Sequence, residues 1–218
     1  MIVQKLGLIV GLITAVFCCV GQNDIYPNCK ILTTNVTQKE YDKAVKVWKD
    51  CLVEERLKEK TKAALYNDIK GNTIVGEYEF LEDKMSDEYL SYKALAKILT
   101  NEELIENIQS SNDVGIKYYS FLAVAEKRSE NVFEMLKTLI NDTTTVEALL
   151  TCGPNKNTLA DLCIDIVTEK YFHNFINYKP KYYQLTLAEK EELDEIIYNA
   201  DFKIKYKETL LNTTLKNE

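Results

Sequence analysis

One histidine, His173, and six cysteines are the residues of this 218-residue chain best suited to chemistry. A serine or cysteine nucleophile commonly needs a histidine to take its proton, so a hydrolase of that kind would have to use His173. His173 stands between Phe172 and Phe175, where it reads as a packed neighbour of aromatic rings rather than a base. The chain has no His-Glu-x-x-His, no Gly-x-Ser-x-Gly and no glycine-rich phosphate loop. Glu77 with Glu79, and Glu82 with Asp83, are carboxylate pairs of the kind that cleaves glycosides at separations of roughly 5 to 10 Å. A chain with 34 acidic residues produces such pairs by chance, and solvated faces explain them. Catalysis is therefore not expected. A hydrolase with an unrecognised carboxylate-pair site is the alternative.

The cysteines divide at a leader. Lys5 is followed by the apolar run Leu6 to Val20 and then by polar Gln22, Asn23 and Asp24. A basic start, a short apolar run and small residues make a secretory signal. The run is shorter than the ~20 residues of a membrane span. Cys19 and Gly21 supply the small side chains for cleavage after Gly21, which sets the signal peptide at 1–21. Lipid attachment at Cys19 is the second route, although the bulky Phe17 fits a lipobox poorly. The expected location is outside the cytoplasm: periplasm, cell surface or secreted.

Cleavage leaves Cys29, Cys51, Cys152 and Cys163. Four cysteines allow three pairings, and proximity in sequence favours Cys29–Cys51 and Cys152–Cys163. By loop closure each bond would contribute ~2–4 kcal/mol. Four free thiols are the alternative, which an oxidising compartment disfavours. Structural zinc needs close Cys-x(2–4)-Cys pairs, and the mature chain has none. No metal or other cofactor is expected.

Hydrophobic residues make up 46% of the chain and charged residues 28%, within the range of folded domains. Loss of Lys5 leaves 26 basic against 34 acidic residues. Such a chain does not track a phosphate backbone or an anionic membrane surface by charge, so nucleic acid is not an expected partner; with the leader removed, no membrane span is expected in the mature chain. About 197 mature residues suggest a single domain over 22–218.

The elements that would position any site are helical. Seven glycines and three prolines leave long stretches unbroken. Thr37 with Glu40 forms a capping box, and Tyr41, Ala44, Val45, Trp48, Cys51 and Leu52 then share one helix face. Residues 71–80 break the period and fit a short strand or an ordered loop; with no obvious partner strand, the loop is favoured. From Ser86 the helices shorten. One carries Tyr89, Leu90, Ala94, Leu95 and Ile98; the next opens on the Thr100–Glu103 capping box and carries Leu104, Ile105 and Ile108. A second pair opens at Asp113 and at Ser129, and Asn112-Asp113 recurs 29 residues later as Asn141-Asp142.

The stretch Asn112-Asp113-Val114-Gly115-Ile116-Lys117 through Ala123-Val124-Ala125 resembles a HEAT-type unit: an aspartate turn, an aliphatic-basic pair, then small and aliphatic residues. The resemblance covers about residues 86–150 and extends to exported helical-repeat proteins of Bacteroidota. It implies an all-α fold of stacked helix pairs, a short HEAT-like α-solenoid with flanking N- and C-terminal helices acting as caps. It also implies a role as a protein-binding or scaffold module, with a protein as partner.

Beyond the repeats, Cys152 to Asn157 reads as a turn, with Thr158 capping a helix that carries Leu159, Leu162, Cys163, Ile166 and Val167. The stretch 171–183, rich in tyrosines and flanked by Lys170, Lys179 and Lys181, is either packing for a C-terminal cap or a binding surface. Thr186 with Glu189 opens a last helix with Leu193, Ile196 and Ile197. Asn-x-Thr sequons occur at Asn35, Asn141 and Asn212 and matter where the host glycosylates its exported proteins.

Overall fold

The computed structural model describes residues 37–71, 74–75, 85–150, 153–168 and 182–199. Among them are helices α1 (Gln38–Glu59), α2 (Lys62–Ile69), α3 (Asp87–Ile98), α4 (Asn101–Ser110), α5 (Val114–Glu126), α6 (Val132–Leu139), α7 (Leu159–Thr168) and α8 (Leu187–Asn199). Strands β1 (Ile74–Val75), β2 (Thr145–Leu150) and β3 (Gly153–Thr158) form one small sheet in the order β1-β2-β3. The architecture is all-α in class, with helices stacked on one another.

The helix starts are written in the sequence. All three expected capping boxes form. The Thr37 hydroxyl accepts from Glu40 N–H while the Glu40 carboxylate takes the Thr37 N–H. Thr100 with Glu103 and Thr186 with Glu189 do the same. Thr158 caps α7 as expected, and Asp161 completes a fourth reciprocal pair, at 3.1 and 3.2 Å. Ser86 and Asp113 each accept the expected N–H, from Tyr89 and Ile116.

Contacts gather the chain into two compact units. The first holds α1, α2, β1, α3 and residues Ala148–Asn155. Within it α3 packs on both α1 and α2, burying Trp48, Leu52, Leu65, Leu90 and Leu95. Thr61 stands at the start of α2, its hydroxyl accepting the Ala64 N–H. Ile98, expected on the buried face of α3, is 44% exposed.

The second unit holds α4 to α8. Its axis is α5, in which every residue from Tyr119 to Ala125 is buried. A helix apolar on all sides must be covered on all sides, and α4, α6 and α7 pack on it. Ala123 and Ala125 are among those buried positions. The pair α5–α6 is the second of the two expected pairs. The first is divided, since α3 belongs to one unit and α4 to the other.

Three local expectations need correction. Residues 71–80 are not all loop: Ile74 and Val75 form β1, and the neighbour that the sequence pattern did not offer is β2, with β-branched Thr145 and Val146 at its start. The stretch 153–157 is strand rather than turn. Pro154 fits there because β3 lies at the sheet edge, the place in a sheet where proline is usually found. Ser129 does not open α6, which begins at Val132. Its N–H instead closes the end of α5 on the Val124 carbonyl, while Arg128 N–H reaches the Ala125 carbonyl. That is a Schellman ending, with Arg128 at φ 53° in the position usually given to glycine.

Candidate functional site

The most concentrated chemistry among the described residues is a cluster of charge inside the first unit. Arg56, on α1, is 4% exposed. Its Nη2 donates to Asp68 Oδ2 of α2 at 3.0 Å, its Nε to Ser91 Oγ of α3 at 3.1 Å, and Nη1 lies 3.0 Å from Asp87 Oδ1. Nη2 also reaches the Asp87 carbonyl at 3.2 Å. Lys60 Nζ sits 2.8 and 2.7 Å from the two Asp68 oxygens, and Ser91 donates a short hydrogen bond to the same carboxylate. One guanidinium thus ties α1, on which it stands, to α2 and α3.

Arginine suits this position because its planar fork can meet several acceptors at once, which a lysine point charge cannot. Burial raises the Asp68 carboxyl, but the bonds from Lys60 and Ser91 and the charge of Arg56 outweigh it and hold the group below its ordinary 3.8. The carboxylate is thereby kept ionised as an acceptor. A proton carrier near neutral pH would need the opposite shift, so the cluster is a clamp.

A smaller pair fastens the second unit. Lys117 Nζ of α5 lies 2.8 Å from Asp142 Oδ2, with both side chains mostly buried. Asp142 Oδ1 accepts the Thr144 N–H at 3.1 Å, and its carbonyl accepts from Ala160 at the start of α7. Burial again pushes the Asp142 carboxyl up, and Lys117 and Thr144 pull it below the ordinary range. The repeated Asn-Asp therefore does two different jobs: Asp113 caps a helix, whereas Asp142 ties a turn to α5.

The cysteines are used unequally. Cys51 is half-buried on α1 and is disulfide-bonded; its expected partner Cys29 lies outside the described residues. Cys163 is a free thiol, so the expected Cys152–Cys163 bond is not formed. Cys163 serves the core instead. Cys163 falls in the buried row Leu159, Leu162, Ile166 and Val167 and has 0% exposure. Burial, and then the charge of Asp142, push its thiol well above its ordinary value. A protonated, enclosed thiol is inert. Cys152 lies outside the described residues.

His173, the pairs Glu77/Glu79 and Glu82/Asp83, Cys19 and the leader also lie outside them. Of the aromatic-basic stretch, Tyr182 and Tyr183 are described. Tyr183 is spent on packing: its N–H donates to the Ala125 carbonyl at 2.9 Å and its hydroxyl to Glu189 at 2.8 Å. Among the described residues no group of three or more His, Cys, Asp or Glu is arranged to hold a metal ion. No helix among them is long and apolar enough to cross a membrane.

The clamp was missed in the sequence, yet a signal was present. Arginine occurs twice in a chain whose 27 basic residues are otherwise lysine. One of the two, Arg56, falls four residues beyond Leu52 on the buried side of a helix, where lysine would be expected only on the outside.

The class so defined is a helical framework with internally neutralised charge. No family model matches the chain, and no curated protein does. A similar solved structure is that of the Snu23-Prp38-MFAP1(217-258) complex of Chaetomium thermophilum, with 11% identity over 76% of this chain and 91% of that chain and a TM-score of 0.46. That degree of likeness carries no argument about fold or role.

Proposed function

We propose that the chain is an exported, non-catalytic scaffold that presents helix surfaces to a protein partner. The observation that carries this reading is the use of its interior charge. Arg56, Asp68, Lys117 and Asp142 each bond across elements of their own unit, so their chemistry is spent on rigidity rather than offered to a substrate. Rigid faces lower the ordering cost of association. The leader and the bonded state of Cys51 support export. Pairing of Cys29 with Cys51, cleavage after Gly21 and the HEAT-type likeness of residues 86–150 belong to the same proposal; close packing of α5 on α4 and α6 supports the last.

The test is retention of a partner by the full chain recovered from its exporting host. The proposal expects one envelope or secreted protein retained at a fixed ratio, competed away by free chain, with no turnover of glycan or peptide libraries. Turnover of either library without a retained protein would establish the hydrolase alternative instead.

A further inference from the structure

We propose that Asn141 is an acceptor for N-linked glycan, an inference that rests on the export reading. The sequon Asn141-Asp142-Thr143 follows α6 and is followed by β2. Its central residue is held inward on four sides. Asp142 Oδ2 pairs with Lys117 at 2.8 Å and Oδ1 accepts from Thr144 at 3.1 Å. Its N–H donates to the Leu139 carbonyl at 2.8 Å and its carbonyl accepts from Ala160 at 3.2 Å.

The flanking residues Asn141 and Thr143 are both exposed. Anchoring the middle residue thus leaves outside the two side chains that define the acceptor sequence, and the middle residue is not proline. A bulky glycan on Asn141 would extend into solvent without displacing a core group. The sequons at Asn35 and Asn212 lie outside the described residues.

The donor class is a lipid-linked oligosaccharide pyrophosphate. The Asn141 amide nitrogen attacks the anomeric carbon, forming the N–C bond as the bond from that carbon to the pyrophosphate oxygen breaks. The lipid pyrophosphate leaves with the electron pair, and the proton from nitrogen passes to a base of the transferring enzyme.

The test expresses the full chain in cells whose secretory pathway carries an oligosaccharyltransferase, once with residues 1–21 and once with an established secretory leader in their place. With either leader, secreted protein is expected to carry a glycan that enzymatic deglycosylation removes, leaving aspartate at 141 by peptide mass. Asn141→Gln and Thr143→Ala should each lose one glycan increment, and Thr143→Ser should keep it. Unmodified Asn141 in the secreted product of both leaders overturns the acceptor site. Modification only behind the foreign leader overturns the export reading, and the native site with it.

Discussion

The two units solve the same problem with different materials. In the first, three helices converge on a buried guanidinium whose partners come from α1's neighbours α2 and α3. In the second, the helices converge on α5, whose turns from Tyr119 to Ala125 are enclosed by apolar packing. A charge clamp is directional and fails when one partner is lost. An apolar core is non-directional and loses stability in proportion to the volume removed.

The largest effect should therefore follow from breaking the clamp on one side. Arg56→Ala is expected to cost about 3–5 kcal/mol, because a buried guanidinium and its bonds to Asp68, Ser91 and Asp87 are lost together, with Lys60 left as the cation beside Asp68. Replacing both with apolar residues, Arg56→Met with Asp68→Leu, should cost less than either single change. Urea unfolding of Arg56→Met, Asp68→Leu and the double variant decides: additive losses would show that the pair is not a coupled unit.

In the second unit the matching probe is Leu136→Ala on α6, a fully buried side chain. The expected loss is about 2–5 kcal/mol, and no paired substitution should restore it. A loss under ~1 kcal/mol would mean that the site collapses freely and is not close-packed.

Acid should affect both units, through Asp68 in the first and Asp142 among others in the second. Asp68 and Asp142 have folded values below the ordinary 3.8, so the stability they contribute is complete above that pH. It is lost as pH falls from there through the folded values. Glu189 acts in the same direction, while Asp194, raised by burial, opposes it. Urea midpoints measured downward from neutral pH should stay level with respect to these aspartates and then drop below about pH 4. Asp68→Asn and Asp142→Asn should each flatten part of the drop; an unchanged profile in both would place the acid sensitivity elsewhere.

The smallest effect concerns the end of α5. Arg128 holds a left-handed backbone that costs an L-residue ~1–2 kcal/mol. Arg128→Gly is expected to raise stability by about 0.5–1 kcal/mol after glycine's own entropy is counted. A lower thermal midpoint would show that the arginine side chain is worth more than the strain.

What was legible in the sequence tracks how local each cause is. Thr37, Thr100 and Thr186 announce helix starts because a capping box is complete within four residues. The heptad-like spacing of Leu159, Leu162, Cys163, Ile166 and Val167 places Cys163 on a buried face for the same reason. The sheet was hidden because β1 is two residues long and its neighbour β2 lies about seventy residues away. The clamp was hidden similarly: Arg56, Asp68 and Ser91 are separated by 12 and 23 residues, and only the packing of α3 on α1 and α2 brings them together. Pairing cysteines by proximity failed at Cys163, which is a free thiol in the core: nearness in sequence does not by itself bring two sulfurs together.

The cysteines also separate the two regions, and mapping them tests the account most directly. Non-reducing peptide mapping of the full chain recovered from its native host should find Cys51 linked to Cys29, and Cys163 as a free thiol that reacts only after unfolding. A Cys152–Cys163 linkage, or a free Cys51, would contradict it.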